Sequence, residues 1–144
     1  MPQINRSALV RFSAQQMYDL VNDVASYPQF LPGCVGGEVH SHEAEQMVAT
    51  VAVKKAGIAQ SFTTINSLTL NEKVSMKLKE GPFSSLQGDW SFKALTDSAC
   101  KVELSLSFEF ANPVAQKAFG KIFNDLAQNM VMAFSERAKE VYRG

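Results

Sequence analysis

The hydrophobic period of this sequence changes once, and that change limits the available folds more than any other feature. From Glu38 to Phe110 apolar and polar residues alternate with a period of two, broken by turn signals at Ala56-Gly57, Asn71-Glu72, Glu80-Gly81-Pro82 and Thr96-Asp97-Ser98. About six strands fit this stretch. The last is the plainest: Val102, Leu104, Leu106, Phe108 and Phe110 alternate with Lys101, Glu103, Ser105, Ser107 and Glu109, as in a sheet packed on one side and wet on the other. After Asn112-Pro113, an N-cap followed by a first-turn proline, the spacing becomes three and four through Phe119, Ile122, Phe123, Leu126, Met130, Phe134, Ala138 and Val141. This predicts one amphipathic helix of roughly 45 Å, longer than the ~33 Å of a ten-residue strand, so it lies obliquely across the packed face of the sheet.

Upstream, residues 3 to 12 are extended in character, and Ser13 with Gln16 forms a capping box for a helix that buries Met17, Leu20, Val21 and Val24. A second S-x-x-Q, Ser26 to Gln29, predicts a cap for a short helix, which Pro32-Gly33 stops. Short connections imply antiparallel neighbours. The expected architecture is α+β in one domain over residues 1–144: an about seven-stranded curved antiparallel sheet wrapped round a long C-terminal helix, with two short helices after strand 1. With 46% apolar residues, a chain of this length has a core to bury, roughly 70% of its unfolded surface.

A sheet gripping a helix either fills the space between them or leaves a cavity. Alternation turns Met47, Ala49, Val51 and Val53 inward, and likewise Phe62, Thr64, Asn66, Leu68 and Leu70, and Leu86, Gly88, Trp90 and Phe92. Ala49 and Gly88 leave room there, and Gly120 inside the long helix points to close approach or to tolerated slack. Thr64 and Asn66 are carried inward by their apolar neighbours, and a buried amide needs a partner. Two readings stay open. Either these groups bond each other or structural water while Gly88 marks a bend, or they anchor a ligand in a mostly apolar pocket.

Several function classes are disfavoured by composition. Lys plus Arg and Asp plus Glu number 14 each, so no global field attracts DNA or an acidic membrane. Two distant cysteines, Cys34 and Cys100, match neither a disulfide framework nor a zinc spacing, which predicts free thiols and a cytoplasmic protein. No segment approaches the ~20 apolar residues of a membrane helix, leaving at most transient membrane contact. His40-Ser41-His42 would place both imidazoles on one strand face, yet no third metal ligand has a fixed spacing, and a polar hairpin end is the simpler reading. Cys34 has no evident base, and Gly33, Gly36 and Gly37 make no phosphate loop. No catalytic residue, metal site or obligatory cofactor is therefore expected. Arg6 shares the parity of Ile4, Ala8 and Val10, and is expected at an edge or beside a carboxylate. Local cations do occur, at Lys54-Lys55, Lys73, Lys77 and Lys79 and at Lys117 with Lys121, interleaved with glutamates as on an ordinary solvated face.

The order of elements resembles the START-like helix-grip superfamily over essentially the whole chain. Ser26-Tyr27-Pro28-Gln29-Phe30-Leu31-Pro32-Gly33-Cys34, Gly81-Pro82-Phe83, Leu86 and Trp90-Ser91-Phe92 are similar to its coenzyme Q-binding, polyketide cyclase-related branch, and to that branch's small bacterial ribosome association toxins. Met1-Pro2-Gln3-Ile4, Lys55-Ala56-Gly57-Ile58 and Arg137-Ala138-Lys139-Glu140-Val141-Tyr142 add to the likeness. The resemblance implies a non-enzymatic protein that takes ubiquinone or a similar lipid and supports respiration, or one that binds the large ribosomal subunit and blocks subunit joining. On that basis Phe62, Thr64, Asn66, Gly88, Trp90 and Phe92, with Phe119, Phe123, Met130 and Phe134 from the helix, are the expected cavity lining. Tyr27, Phe30, Leu31, Pro82 and Phe83 are the expected mouth, and Lys117 and Lys121 the candidate ribosome contact. A polyketide cyclase or dehydratase-like enzyme is the alternative, but the inward sets hold no Asp, Glu or His to carry a proton.

Overall fold

The computed structural model describes residues 3–55 and 57–142. Strand β1 (Gln3–Val10) leads into helix α1 (Ala14–Asn22) and a 3-10 helix at Val24–Gln29. Six strands follow: β2 (Cys34–His42), β3 (Gln46–Lys55), β4 (Ile58–Thr69), β5 (Lys73–Glu80), β6 (Phe83–Thr96) and β7 (Ala99–Phe110). Helix α2 (Pro113–Val141) closes the chain. All seven strands form one antiparallel sheet in the order β1-β7-β6-β5-β4-β3-β2, so β1 crosses over to pair with β7. This is the expected helix-grip architecture.

Local chemistry sets the ends of the elements. Ser13 Oγ accepts from Gln16 N at 3.1 Å and Gln16 Oε1 accepts from Ser13 N at 2.8 Å, the reciprocal box that starts α1. Asn112 Oδ1 accepts from Ala115 N at 2.8 Å, and Pro113 costs nothing in a first turn whose N–H has no helical partner. The second box does not form: Ser26 sits inside the 3-10 helix, whose N-cap Asp23 makes no side-chain bond. Successive i→i+3 bonds, such as Phe30 N to Tyr27 O, hold that segment instead. Leu70 also departs from expectation: it lies beyond the end of β4, in the turn, and is 72% exposed. The turn signal at Ala56 and the Met1-Pro2 pair fall outside the described residues, as do the side chains of Lys55 and Ile58.

Two aromatic groups fill the ends of the space between sheet and helix. Phe83 stands among Phe62, Phe108, Phe110, Phe119 and Phe123, with ring centroids 4.8 to 6.3 Å away. Gly81 makes the turn before it, with φ at +154° and the place of a Cβ only 2.8 Å from Phe62 Cβ, so a side chain has no space there. Toward the other end Phe134 meets Tyr27, Phe30 and Trp90 edge-on, at 5.3, 5.1 and 5.2 Å. Arg6 is exposed on β1, at the sheet edge as expected, and ties β1 to α2 by donating to Gln128 Oε1.

Candidate functional site

Between the two aromatic groups lies a cavity of about 60 Å³. Phe62, Thr64 and Asn66 on β4, Ala49 and Val51 on β3, Met76 on β5, Leu86 and Trp90 on β6, and Leu104 and Leu106 on β7 form its sheet side. Phe123, Leu126, Ala127 and Met130 cover it from α2, and Val24, Tyr27 and Leu31 close one end. It is far smaller than the ~300 to 1,000 Å³ of typical ligand pockets, so the quinone-sized gap expected from Ala49 and Gly88 is not preformed. Half-buried Phe62, Met76 and Met130 are the lining side chains with freedom to repack.

Besides the Tyr27 phenol, Thr64 and Asn66 are polar members of this lining, 8% and 7% exposed. The Thr64 hydroxyl donates to Asn66 Oδ1 at 2.8 Å. The pair spends one donor on one acceptor; the Thr64 oxygen lone pairs and the Asn66 amide protons belong to the same buried patch. Among the described lining residues there is no Asp, Glu, His, Lys or Arg.

Four of the expected lining residues stand elsewhere. Gly88 does not open the cavity. A Cβ there would lie 2.5 Å from the Ser105 carbonyl oxygen and 2.7 Å from Leu106 Cδ1, so glycine allows β7 to approach rather than leaving a hole. Phe92 turns its ring edge to Tyr18 of α1 and stacks beside Trp90, while Phe119 and Phe134 belong to the aromatic groups at the two ends. Gly120 faces Phe110, and a Cβ would meet that ring at an ordinary 3.7 Å, so it marks slack and not close approach. Of the mouth residues, Tyr27 and Leu31 line the cavity and Phe30 lies outside them against Arg137, whose guanidinium carbon is 5.2 Å above the ring. Phe83 is 5% exposed at the centre of its aromatic group, a plug and no rim, while Pro82 beside it is half-buried. Alternation did disclose Leu104 and Leu106 as packed, but nothing local distinguishes a packed leucine from a cavity wall. Ala127, one turn beyond Phe123, was the available signal for a gap under the helix.

The titratable groups near the cavity hold their protons. Burial pushes the Tyr27 hydroxyl far above the usual tyrosine range, with Cys34 and Asp23 adding to the effect, and that hydroxyl donates to the Val21 carbonyl. Burial likewise pushes up the thiols of Cys34 and Cys100, and Cys34 Sγ donates to the Gly36 carbonyl at 3.4 Å. Neither is a ready thiolate. The two histidines part company at an irregularity between Val39 and Ser41. His40 Nε2 lies 2.6 Å from Thr50 Oγ1, whereas His42 pairs with Met47, whose side chain points to the core, so the shared face expected from H-x-H is lost. No group of three or more metal-ligating side chains occurs among the described residues. No helix of the described residues is long and apolar enough to cross a membrane. Lys117 and Lys121 are exposed on the outer side of α2.

Comparison with known proteins places this geometry. Residues 10–135 match the family described as polyketide cyclase / dehydrase and lipid transport. The chain is 56% identical over 142 residues to the ribosome association toxin RatA of Escherichia coli (strain K12), covering 99% of this chain and 90% of that protein. It is 28% identical over 138 residues to a mitochondrial coenzyme Q-binding protein of Drosophila melanogaster, covering 93% of this chain and 57% of that protein. Among solved structures, the ZhuI aromatase/cyclase of Streptomyces sp. R1128 superposes with a TM-score of 0.84 at 15% identity, covering 99% and 96% of the two chains, a likeness of fold alone. The chain therefore belongs to the polyketide cyclase / dehydrase and lipid transport family, in the company of the ribosome association toxins.

Proposed function

We propose that this chain acts in the cytoplasm without catalysis as a ribosome-associating protein, binding the large subunit and opposing subunit joining. The observation that carries the reading is the 56% identity to a ribosome association toxin along 99% of the chain. The cavity supports a non-catalytic role, since its described lining offers no side chain to move a proton and its one phenol is locked to a backbone carbonyl. That speaks against the cyclase or dehydratase alternative. Sedimentation of the purified protein with isolated large and small subunits tests the proposal. Co-migration with the large subunit and a reduced yield of joined ribosomes is expected; a protein left at the top of the gradient at low salt refutes it.

A second reading is favoured by the Thr64–Asn66 pair, which puts hydrogen-bonding groups in an apolar enclosure where a quinone carbonyl or similar lipid group could meet them. The cavity then has to swell as Met76, Met130 and Phe62 repack. Trp90, the single tryptophan, lines the cavity and reports on it directly. Titration with a short-tailed ubiquinone is expected to quench Trp90 emission saturably, and quenching no greater than that of the denatured chain discards the reading.

A further inference from the structure

One wall separates the internal cavity from a second hollow on the surface. Leu31 and Met130 face the cavity, while their chain neighbours Phe30, Pro32 and Asn129 line a groove of about 280 Å³ between the turn at residues 28–33 and α2. Neither the groove nor the cavity of about 60 Å³ reaches the ~300 Å³ lower bound of ligand pockets, but joined they do. The groove is made for neutral apolar matter. Met132 is left exposed in its lining, and the charges beside it are matched within the chain, Glu140 with Arg137 at 3.4 Å and Glu136 with Lys139 at 3.2 Å.

The wall is lightly built. Tyr27 is its fixed post, with its hydroxyl on the Val21 carbonyl and its ring against Phe134. Beyond it, Phe30 N and Leu31 N both donate to the one Tyr27 carbonyl, at 3.2 and 2.9 Å. Gly33 ends the turn in the left-handed region at φ +83°, and its carbonyl accepts from Lys54 N at 2.9 Å. Between these points Arg137 supplies the polar tie to α2: Nη2 donates to Gln29 Oε1 at 2.8 Å, and the guanidinium covers the Phe30 ring. Arg137 Nε is buried with no hydrogen-bond partner among the described residues, a cost carried by the closed turn and relieved once water reaches it.

We infer that residues 28–33 are a gate between cavity and groove, latched by Arg137, and that a lipid ligand fills both spaces once it opens, its polar head against Thr64 and Asn66 and its apolar tail in the groove. The inference rests on the reading of the cavity as a quinone or lipid site and adds the way in and the place of the tail. Opening requires loss of the Arg137 contacts and of two bonds to one carbonyl, while the sheet and both α-helices stay whole. The space gained adds to what repacking of Met76, Met130 and Phe62 provides.

Two native thiols test the latch without any ligand. Cys34 follows the hinge and its N–H bonds the Leu31 carbonyl at 3.1 Å, whereas Cys100 lies in β7 between Val10 and Ala94, and both are buried. Labelling of Cys34 is followed in Cys100→Ala protein and labelling of Cys100 in Cys34→Ala protein, each with and without Arg137→Ala. The expected result is labelling of Cys34 about tenfold faster, with Cys100 unchanged. Equal acceleration of both thiols is general destabilisation and overturns the latch, as does an unchanged Cys34. Gln29→Ala, at an exposed position, keeps the fold and should give the same selective change at smaller size. Stopped-flow quenching of Trp90 by a short-tailed ubiquinone tests the route, and binding should be several-fold faster in Arg137→Ala. Selective labelling of Cys34 with an unchanged binding rate overturns the gate as the ligand's path. If the unaltered protein shows no quenching, the quinone reading falls and the tail site with it, while the thiols still decide the latch.

Discussion

The Thr64 hydroxyl bonds Asn66 Oδ1 two residues along the same face of β4, so two polar side chains share one buried contact inside an otherwise apolar enclosure. Removing one partner strands the other. Thr64→Val is expected to cost about 1 to 3 kcal/mol, whereas replacing both, Thr64→Val with Asn66→Leu, should lie near neutral because no polar group is left unpaired. Urea denaturation of the two single variants and the double variant checks this through the sign of the coupling. On the quinone reading, Asn66→Leu folds but binds ligand more weakly.

Gly88→Ala is expected to destabilise by about 1 to 3 kcal/mol, because its methyl would press on the Ser105 carbonyl 2.5 Å away and force β6 and β7 apart. A glycine that merely left room would tolerate the methyl. The denaturation midpoint distinguishes these outcomes.

Gly120→Ala should do the opposite. Position 120 lies inside α2, where glycine costs about 1 kcal/mol relative to alanine, and the added methyl meets Phe110 only at an ordinary contact distance. A rise in stability of up to about 1 kcal/mol is expected, read from thermal or urea unfolding.

Burial of Cys34 and Cys100 predicts how stability responds to alkali. Both folded-state pKa values lie above the ordinary 9.0 of a thiol. Below pH 9 both thiols stay protonated whether the chain is folded or not, and their contribution is fully present. As the pH rises past 9 the unfolded chain releases these protons while the folded chain keeps them, so stability falls. Tyr18, Tyr27 and Tyr142, raised chiefly by burial, extend the loss above pH 10. Urea midpoints from pH 7.5 to 10.5 should decline, and Cys34→Ala with Cys100→Ala should remove the part that starts near pH 9. Labelling of both thiols in the native protein at pH 8 should be slow and accelerate in urea.

Strand alternation and the caps at Ser13 and Asn112 are local chemistry, and the sheet, α1 and α2 could be read from them. The second box at Ser26 misled because the same four residues also suit a 3-10 turn, and packing of Val24 and Tyr27 into the core decides between them. The inward parity of Phe62, Thr64, Asn66 and Trp90 was legible; cavity volume was not. Whether Gly88 opens space or admits a neighbouring strand depends on Ser105 and Leu106, seventeen and eighteen residues away in sequence, and no local pattern reports that distance. Register shifts escape in the same way: the irregularity at His40 reverses which face His42 shares.

The pairing of β1 with β7, which sets Gln3 opposite Ser107 and Val10 opposite Cys100, has a consequence for how the chain comes into being. Its first strand emerges from the ribosome with no partner yet made, and it waits unpaired while roughly a hundred further residues are synthesised, about 5 to 20 s at typical elongation rates. Through that interval β2 to β6 can zip together by successive hairpins, but neither β1 nor the helix that bonds to it through Arg6 and Gln128 has a place to settle. The final architecture is a clasp fastened last, and a chain cut short before Ala99 would present an exposed β6 edge and an unclaimed N-terminal strand to whatever protease or chaperone stands at the exit.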